Sequence, residues 1–445
     1  MLKSQSYILN KERNPALFKA FDTWTKAGKE VFNFALFVER QLLSSASKDR
    51  DKWSDNEKAI REEMNSSSST EIPDSQKSIG YKKLDRFIRD RHYDIFEKEL
   101  PNQSVQYILK AAVHDIDAFF KAVKSYNANP SAFTGEPKLP HYRKSEHKSI
   151  IISNQDCVLR EFSNHWEMKF PYTKVRYIIS ELPENFKRLK EVQIIPFYDT
   201  YKIEMVYEAI AKEKPRLNAE RVAAIDPGID NLVTLVTDDE SLVINGRIIK
   251  SKNQWFNKRS SELKSLLDKM YGNSDHEQSK QLTSLWKKRT NWMNDYLHKI
   301  SRFVVNCCTE KQISVLVLGK NERWKTNSNT GKTNNQNFVQ IPHAVLYKLI
   351  QYKAEEVGIK VIYQEESYTS KASYLDGDVI PVYVDGWKYT FSGKRIKRGL
   401  YRTKNGILLN ADVNGAANIY RKQSDTSPFI KGALQKVKAV TIRPL

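Results

Sequence analysis

Cysteine is scarce in this sequence: Cys157, Cys307 and Cys308 are the only three in 445 residues. Two are adjacent and one is remote, which excludes a disulfide framework and a zinc-ligand pattern. Packed, inert thiols in a reducing compartment are expected. Long apolar runs are lacking too, and none approaches the roughly 20 residues of a membrane-spanning helix. The opening stretch MLKSQSYILNKERN has no apolar core of the kind that directs secretion. A cytoplasmic protein of the prokaryotic cytosol or nucleoid, with no membrane partner, is the expectation. Acid is in deficit, with 53 Asp and Glu against 73 Lys and Arg and a formal net charge of +20. Such a field favours polyanions, nucleic acid first among them. Aromatic residues are plentiful for so polar a chain, at 11%; they can fill cores and can also stack on bases.

A chain this long exceeds one ordinary core, so two or three domains are expected. Residues 1–10 read as a strand, and 15–45 as a helix carrying Phe18, Phe21, Ala35, Leu36 and Leu42. The run NSSSST at 65–70, ahead of Pro73, reads as a flexible connector. The clearest helix lies between Gln103 and Lys124. There Val105, Ile108, Leu109, Ala112, Val113, Ile116, Phe119, Phe120 and Val123 recur at helical spacing and imply one buried face. Strand patterns follow at 149–153, 166–170, 192–197 and 201–207, the last with Tyr201, Ile203, Met205 and Tyr207 in alternation. From about Leu217 the order becomes strands at 222–226, 232–237 and 242–249, then helices at 255–271 and 277–310. A strand at 314–318, a helix at 342–357, a strand at 360–364, a basic loop and a final helix after Asp412 complete it. That is an α/β order.

Two carboxylates stand at telling places. Asp226 ends an apolar strand in AAIDPGID, where Pro227 and Gly228 force the turn that exposes it. An ordinary turn aspartate fits those residues equally well. Asp412, in NADVNGAANIYRK, suits a helix N-cap. The small Gly415, Ala416 and Ala417 let that first turn lie close against a sheet or a nucleic-acid strand, and Asn414 and Asn418 share a face. Paired carboxylates at a sheet edge suit Mg²⁺, which takes oxygen ligands. Two such ions about 3.5–4 Å apart can clamp a phosphodiester under hydrolysis. That chemistry calls for a third acid.

DPGI after an apolar strand and DVNGAANI near the C-terminus resemble the first and third RuvC motifs of the TnpB family, transposon-encoded relatives of type V CRISPR effector nucleases. GEPKLPHYRK, INGRIIKSKN, LHKISRFVV, NNQNFVQIP, EESYTSKASYLDGD and GKRIKRGLYR look like the family as well, so the resemblance runs from about residue 100 to 423. It implies a multidomain α+β fold. A β-barrel wedge domain (1–10 and 130–216) with a helical recognition insert (11–129) would precede an α/β RNase H-like (RuvC) nuclease domain (217–423). Residues 367–411 would stand at the zinc-ribbon position and 424–445 would form a C-terminal tail. The implied activity is RNA-guided, Mg²⁺-dependent DNA cleavage with two ions, and the implied partners are a guide RNA and a target double-stranded DNA. A nuclease-inactive guided repressor and a compact type V CRISPR effector are the alternatives. No tyrosine or serine recombinase constellation stands out.

The chain departs from the family pattern twice. The second RuvC motif usually ends its strand in glutamate, but SVLVLGKNERWK has Gly319 there. Glu322 is a weak substitute. In the RNase H arrangement the next strand, KVIYQEESYTS, is a neighbour, and some relatives, Fanzor proteins among them, look rearranged with a glutamate three residues before the Thr-Ser pair. Here that position is Glu366; Glu365 should point to the other face. Asp226, Glu366 and Asp412 are the expected catalytic and metal-binding residues, although solvated strand-end charges also fit 365 and 366. The second departure is that Lys371–Ala411 contains no cysteine, so no structural zinc is expected. Leu375, Ile380, Tyr383, Trp387, Tyr389, Phe391 and Leu400 would instead build a hairpin core. Lys388, Lys394, Arg395, Lys397, Arg398, Arg402 and Lys404, with Lys138 and Arg143 in the earlier loop, are expected to meet phosphates. Trp324 and the Asn-rich loop 325–338 are weaker candidates for the same role.

Overall fold

The computed structural model describes residues 1–67, 71–91, 100–211, 213–272, 279–320, 341–384, 386–424 and 426–443. The chain forms two compact units, Met1–Lys212 and Glu213–Leu445.

In the first unit, β1 (Leu2–Ile8) is followed by α1 (Pro15–Ser45), α2 (Asp55–Ser67), α3 (Tyr81–Arg91) and α4 (Asn102–Ala128). Strands β2 (Ile150–Ser153), β3 (Val158–Phe162), β4 (His165–Lys169), β5 (Arg176–Ile179), β6 (Phe186–Phe197) and β7 (Thr200–Ala209) follow. The apolar stripe of α4 is buried from Val105 to Ile116, while Phe119, Phe120 and Val123 are only half-buried. The expected connector at 65 begins later, because α2 continues through 65–67. β1 pairs antiparallel with β7, giving the order β1-β7-β6-β2, and β3-β4-β5 form a second sheet. Among the described residues, pairing thus yields two sheets where a single barrel was expected. An aromatic knot ties α1 to them: Phe21 lies 5.0 Å from Phe170 and 5.9 Å from Tyr201.

The second unit contains β8 (Asn218–Pro227), β9 (Asn231–Val236), β10 (Ser241–Asn245), α5 (Arg247–Tyr271), α6 (Lys280–Glu310) and β11 (Ile313–Lys320). Then come α7 (His343–Glu356), β12 (Lys360–Glu365), β13 (Lys394–Lys397), β14 (Leu400–Arg402), β15 (Leu408–Asn410), α8 (Ala411–Ser424), α9 (Lys431–Gln435) and β16 (Val437–Val440). The main sheet has the order β12-β11-β8-β9-β10-β16. β11 runs parallel to both β8 and β12, and the β8–β9–β10 meander is antiparallel. Strand alternation sorts side chains onto two faces. Ala223, Ile225, Leu316 and Leu318 pack with α6 and α7, and Cys308 is buried in that layer. Val222, Ala224 and Val317 pack with Val413, Ala416 and Ala417 of α8. By parity, Asp226 and Gly319 belong to the α8 face.

Three expectations change here. The strand expected to reach residue 249 stops at Asn245, whose side chain accepts the Arg247 amide at 2.8 Å and opens α5. The expected tail, 424–445, instead buries Phe429, Ala433 and Leu434 and adds β16 parallel to β10. Of the expected hairpin core, Leu375 packs against the α8 face and Tyr389 and Phe391 gather on Tyr368, but Tyr383 and Trp387 stay 59% and 68% exposed. Tyr401 and Leu409 are buried in their stead, Tyr401 donating to the Lys371 carbonyl at 2.8 Å.

Candidate nuclease site

The apolar strand β8 carries Asp226 to its C-terminal end, onto the face covered by α8. The two elements meet closely: a Cβ on Gly415 would stand 2.6 Å from Asp226 Oδ2. Part of Asp226 still reaches solvent, yet protein surrounds it densely. Its carboxyl is pushed well above the usual carboxylate range, first by desolvation and then by Glu366 and Asp412, with Arg395 opposing.

Glu366 follows the last residue of β12, and β12 lies in register beside β11, with Gly319 opposite Gln364. The Glu366 carboxylate reaches over Gly319. A Cβ there would collide with Glu366 Oε1 and with Ile419 Cδ1 at 2.6 Å. Glu366 Oε1 is buried and has no hydrogen-bond partner among the described residues. Burial, and secondarily the charge of Glu365, pushes the Glu366 carboxyl up to about 8. Glu365 behaves in the opposite way. It pairs with Lys422 at 2.6 Å and accepts from the Ser367 amide at 2.6 Å, and these contacts overcome its burial to hold its carboxyl below the ordinary range.

Asp412 is not the N-cap of α8, as its position suggested. Asn410 Oδ1 accepts the amides of Asp412 and Val413 at 2.9 and 3.2 Å, which leaves the Asp412 carboxylate free of the backbone. Asn231 Nδ2 donates to Asp412 Oδ2 at 2.6 Å, and Arg395 lies 3.3 Å from Oδ1. The buried Asn414 and Asn418 hold the turn after Glu366. Asn414 donates to the Ala372 carbonyl at 2.8 Å, and Asn418 donates to those of Thr369 and Ala372 at 2.9 and 2.7 Å. Arg421 adds a bond to the Tyr374 carbonyl at 2.9 Å.

Of the basic residues, Lys394, Arg395 and Lys397 lie on β13 and Arg402 on β14. Arg395 meets Asp412, and Arg398 pairs with Asp230. Lys388 and Lys404 are exposed beside this small sheet. Lys138 and Arg143 belong to the first unit, where the Arg143 guanidinium stands 5.1 Å over Phe32. Glu322, Trp324 and the loop 325–338 lie outside the described residues. Sequence reasoning missed Asn231, although it opens the strand that pairs with β8. It also missed Tyr347, a buried α7 phenol raised by burial and by Glu366 and Asp226. Helical periodicity marks Tyr347 only as another core ring.

The donor set is all oxygen, and an orphaned buried carboxylate oxygen lies within it, which suits a hard divalent cation. Among the described residues no three His, Cys, Asp or Glu side chains are gathered into a ready metal cage. No helix among the described residues is long and apolar enough to cross a membrane.

Comparison with known proteins bears on the fold and the family resemblance. The OrfB family model described as "Probable transposase" matches residues 204–325, and the model described as "Cas12f1-like, TNB domain" matches residues 343–419. TnpB-like protein ORF457 of Acidianus two-tailed virus is 28% identical over 223 residues, 48% of this chain and 44% of the relative. The chain thus spans less than half of that relative's length. In overall fold the chain is similar to a Cas12f1 protein solved by cryo-electron microscopy in complex with sgRNA and target DNA. The TM-score is 0.55 at 12% identity, covering 92% of this chain and 84% of that one. On these matches the chain carries regions similar to the OrfB-type, TnpB-like family and to the Cas12f1-like TNB domain, and the fold as a whole is similar to that of Cas12f1.

Proposed function

We propose that the chain is an RNA-guided, metal-dependent DNA endonuclease whose site is built from Asp226, Glu366 and Asp412. The observation that carries this reading is the placement of Glu366 over Gly319, which brings a third carboxylate to the face that holds Asp226. In this reading the first unit supplies the wedge strands and helical recognition insert, and the second is the RuvC-type nuclease domain. The sheet order of the second unit supports that assignment. Guide RNA and target double-stranded DNA are the proposed partners. They fit the net charge of +20, since a guided protein reads heteroduplex shape and leaves sequence to base pairing.

Asp226, Glu366 and Asp412 would hold Mg²⁺, two ions in the full site. When bound, the cations would neutralise charge at the scissile phosphate and acidify the attacking water. The chain's own part is positional. Asn231 fixes one oxygen of Asp412, and the α8 asparagines fix the turn that carries Glu366. Arg395 and Arg398 would exchange their carboxylate partners for phosphates.

The test is Mg²⁺-dependent cleavage of a matched duplex by protein purified with its co-purifying RNA. Asp226→Ala and Glu366→Ala should each lower the rate at least about a hundredfold, while Glu365→Ala should cut nearly as well as wild type. Full activity in either of the first two would sink the assignment. The second reading, a guided binder that does not cut, is motivated by Gly319 at the family's glutamate position. Guided binding without cleavage under Mg²⁺ and Mn²⁺ would decide for it.

A further inference from the structure

Helices α5 and α6 form an open groove of about 610 Å³, lined by Arg247, Ile248, Ser251, Lys252, Trp255 and Trp292. The α5 members recur at i, i+4 and i+8 with their neighbours, so they make one stripe along the helix. Trp255 is 54% exposed. Trp292 is half-buried and stacks at 5.2 Å and 21° on the fully buried Tyr296, so its ring is held in place. The Lys252 ammonium stands 4.8 Å from the Trp255 ring and 5.6 Å from the Trp292 ring. Two indoles around one cation, with Arg247 at the end of the stripe, complement a flat ring attached to a phosphate. An acidic peptide would satisfy the cations but leave the indole faces without a partner.

The helix that carries the groove starts close to the carboxylate site. α5 starts directly after Gly246, whose amide donates to the Asp230 carbonyl at 2.8 Å. Lys250, in the first turn, lies 3.4 Å from Asp230 Oδ1, and Arg398 pairs with the same carboxylate. The stripe therefore begins beside the residues that follow Asp226 and extends about 12 Å along the helix from Arg247 to Trp255.

We propose that this groove stacks an unpaired base of the single DNA strand running to the carboxylate site, with Arg247 and Lys252 on its phosphates. The identity of the strand rests on the endonuclease reading; the stacking itself does not. The test titrates the full-length protein in EDTA against a fluorescein-labelled single-stranded DNA of about eight nucleotides, within the span of one binding groove, and reads anisotropy. Trp255→Ala should weaken binding about tenfold, equivalent to about 1.4 kcal/mol, and Trp255→Phe should keep most of the affinity. On an abasic strand of equal length, wild type and Trp255→Ala should bind alike. Unchanged affinity in Trp255→Ala overturns the proposal. An equal loss on the abasic strand also overturns it, since that marks a charge or folding effect. A larger loss on RNA of the same sequence than on DNA would reassign the occupant and overturn the choice of DNA. Because no metal is present, a failure to cleave leaves this result unaffected.

Discussion

At the scale of single residues, two glycines set the spacing of the carboxylates. Gly415 lets α8 settle on Asp226, and Gly319 leaves the volume that Glu366 fills. Gly319→Ala is expected to displace Glu366. Cleavage should fall at least about tenfold, and urea unfolding should show a loss of about 1–3 kcal/mol, the usual cost of overpacking. A second residue-scale consequence concerns Glu39 on α1, which is fully buried and accepts the Ile79 amide at 3.2 Å. Burial pushes its carboxyl up to about 7. The folded state therefore holds that proton more tightly than the unfolded chain does. The resulting stabilisation is complete below the ordinary carboxylate value near 4.5 and is lost as pH rises through about 7. Stability from urea unfolding should fall more steeply between pH 5 and 8 for wild type than for Glu39→Gln, by up to about 2 kcal/mol.

At the scale of elements, α8 acts as a clamp. Asn414, Asn418 and Arg421 recur at helical spacing and fasten the turn 369–374 by its carbonyls. Asn418→Ala would strand buried carbonyls at a cost of about 1–3 kcal/mol and should make the segment after Glu366 the first site of limited proteolysis. Much of this was legible in advance. The α4 stripe and the strand that delivers Asp226 follow from periods of 3.6 and 2, whereas Glu365, expected to point away from Glu366, pairs with Lys422 of α8. Other features were hidden for physical reasons. Val437–Val440 is a four-residue edge strand with half its residues charged or small, too short for a pattern to show. Trp387 and Tyr383 looked like core because large rings usually are, but both stay largely exposed, Tyr383 packing against the Tyr368 ring. Asn410 and Asp412 both suit a cap, and only backbone geometry separates them.

At the scale of the whole molecule, each unit owns a core. One runs from Leu9 to Ala209; two lie on the two faces of the second unit's sheet, and a small one joins α5 to α6 through Phe256, Leu263, Leu282 and Leu285. Residues 213–445 expressed alone should therefore unfold cooperatively in urea; a non-cooperative profile would count against an autonomous unit. Of the net charge of +20, the first unit carries +5 (35 Lys and Arg against 30 Asp and Glu) and the second +15 (38 against 23). Affinity for the co-purifying RNA should accordingly fall log-linearly with salt, at a slope of about 0.7 per phosphate contacted if single-stranded. A flat salt response would exclude backbone neutralisation as the main source of affinity.

The pairing of Gly319 with Glu366 also bears on how such chains are compared. Neighbouring strands lie about 4.8 Å apart, within reach of a glutamate side chain, so the same volume can receive its oxygen from either strand. On the proposed assignment of Glu366, an alignment that inspects one column would register a lost acid where it has moved to the adjacent strand. Inventories of cutting-competent and cutting-deficient relatives should therefore score columns 319 and 366 as a single character. In the exchanged arrangement, Gly319→Glu combined with Glu366→Gly should cut better than Glu366→Gly alone.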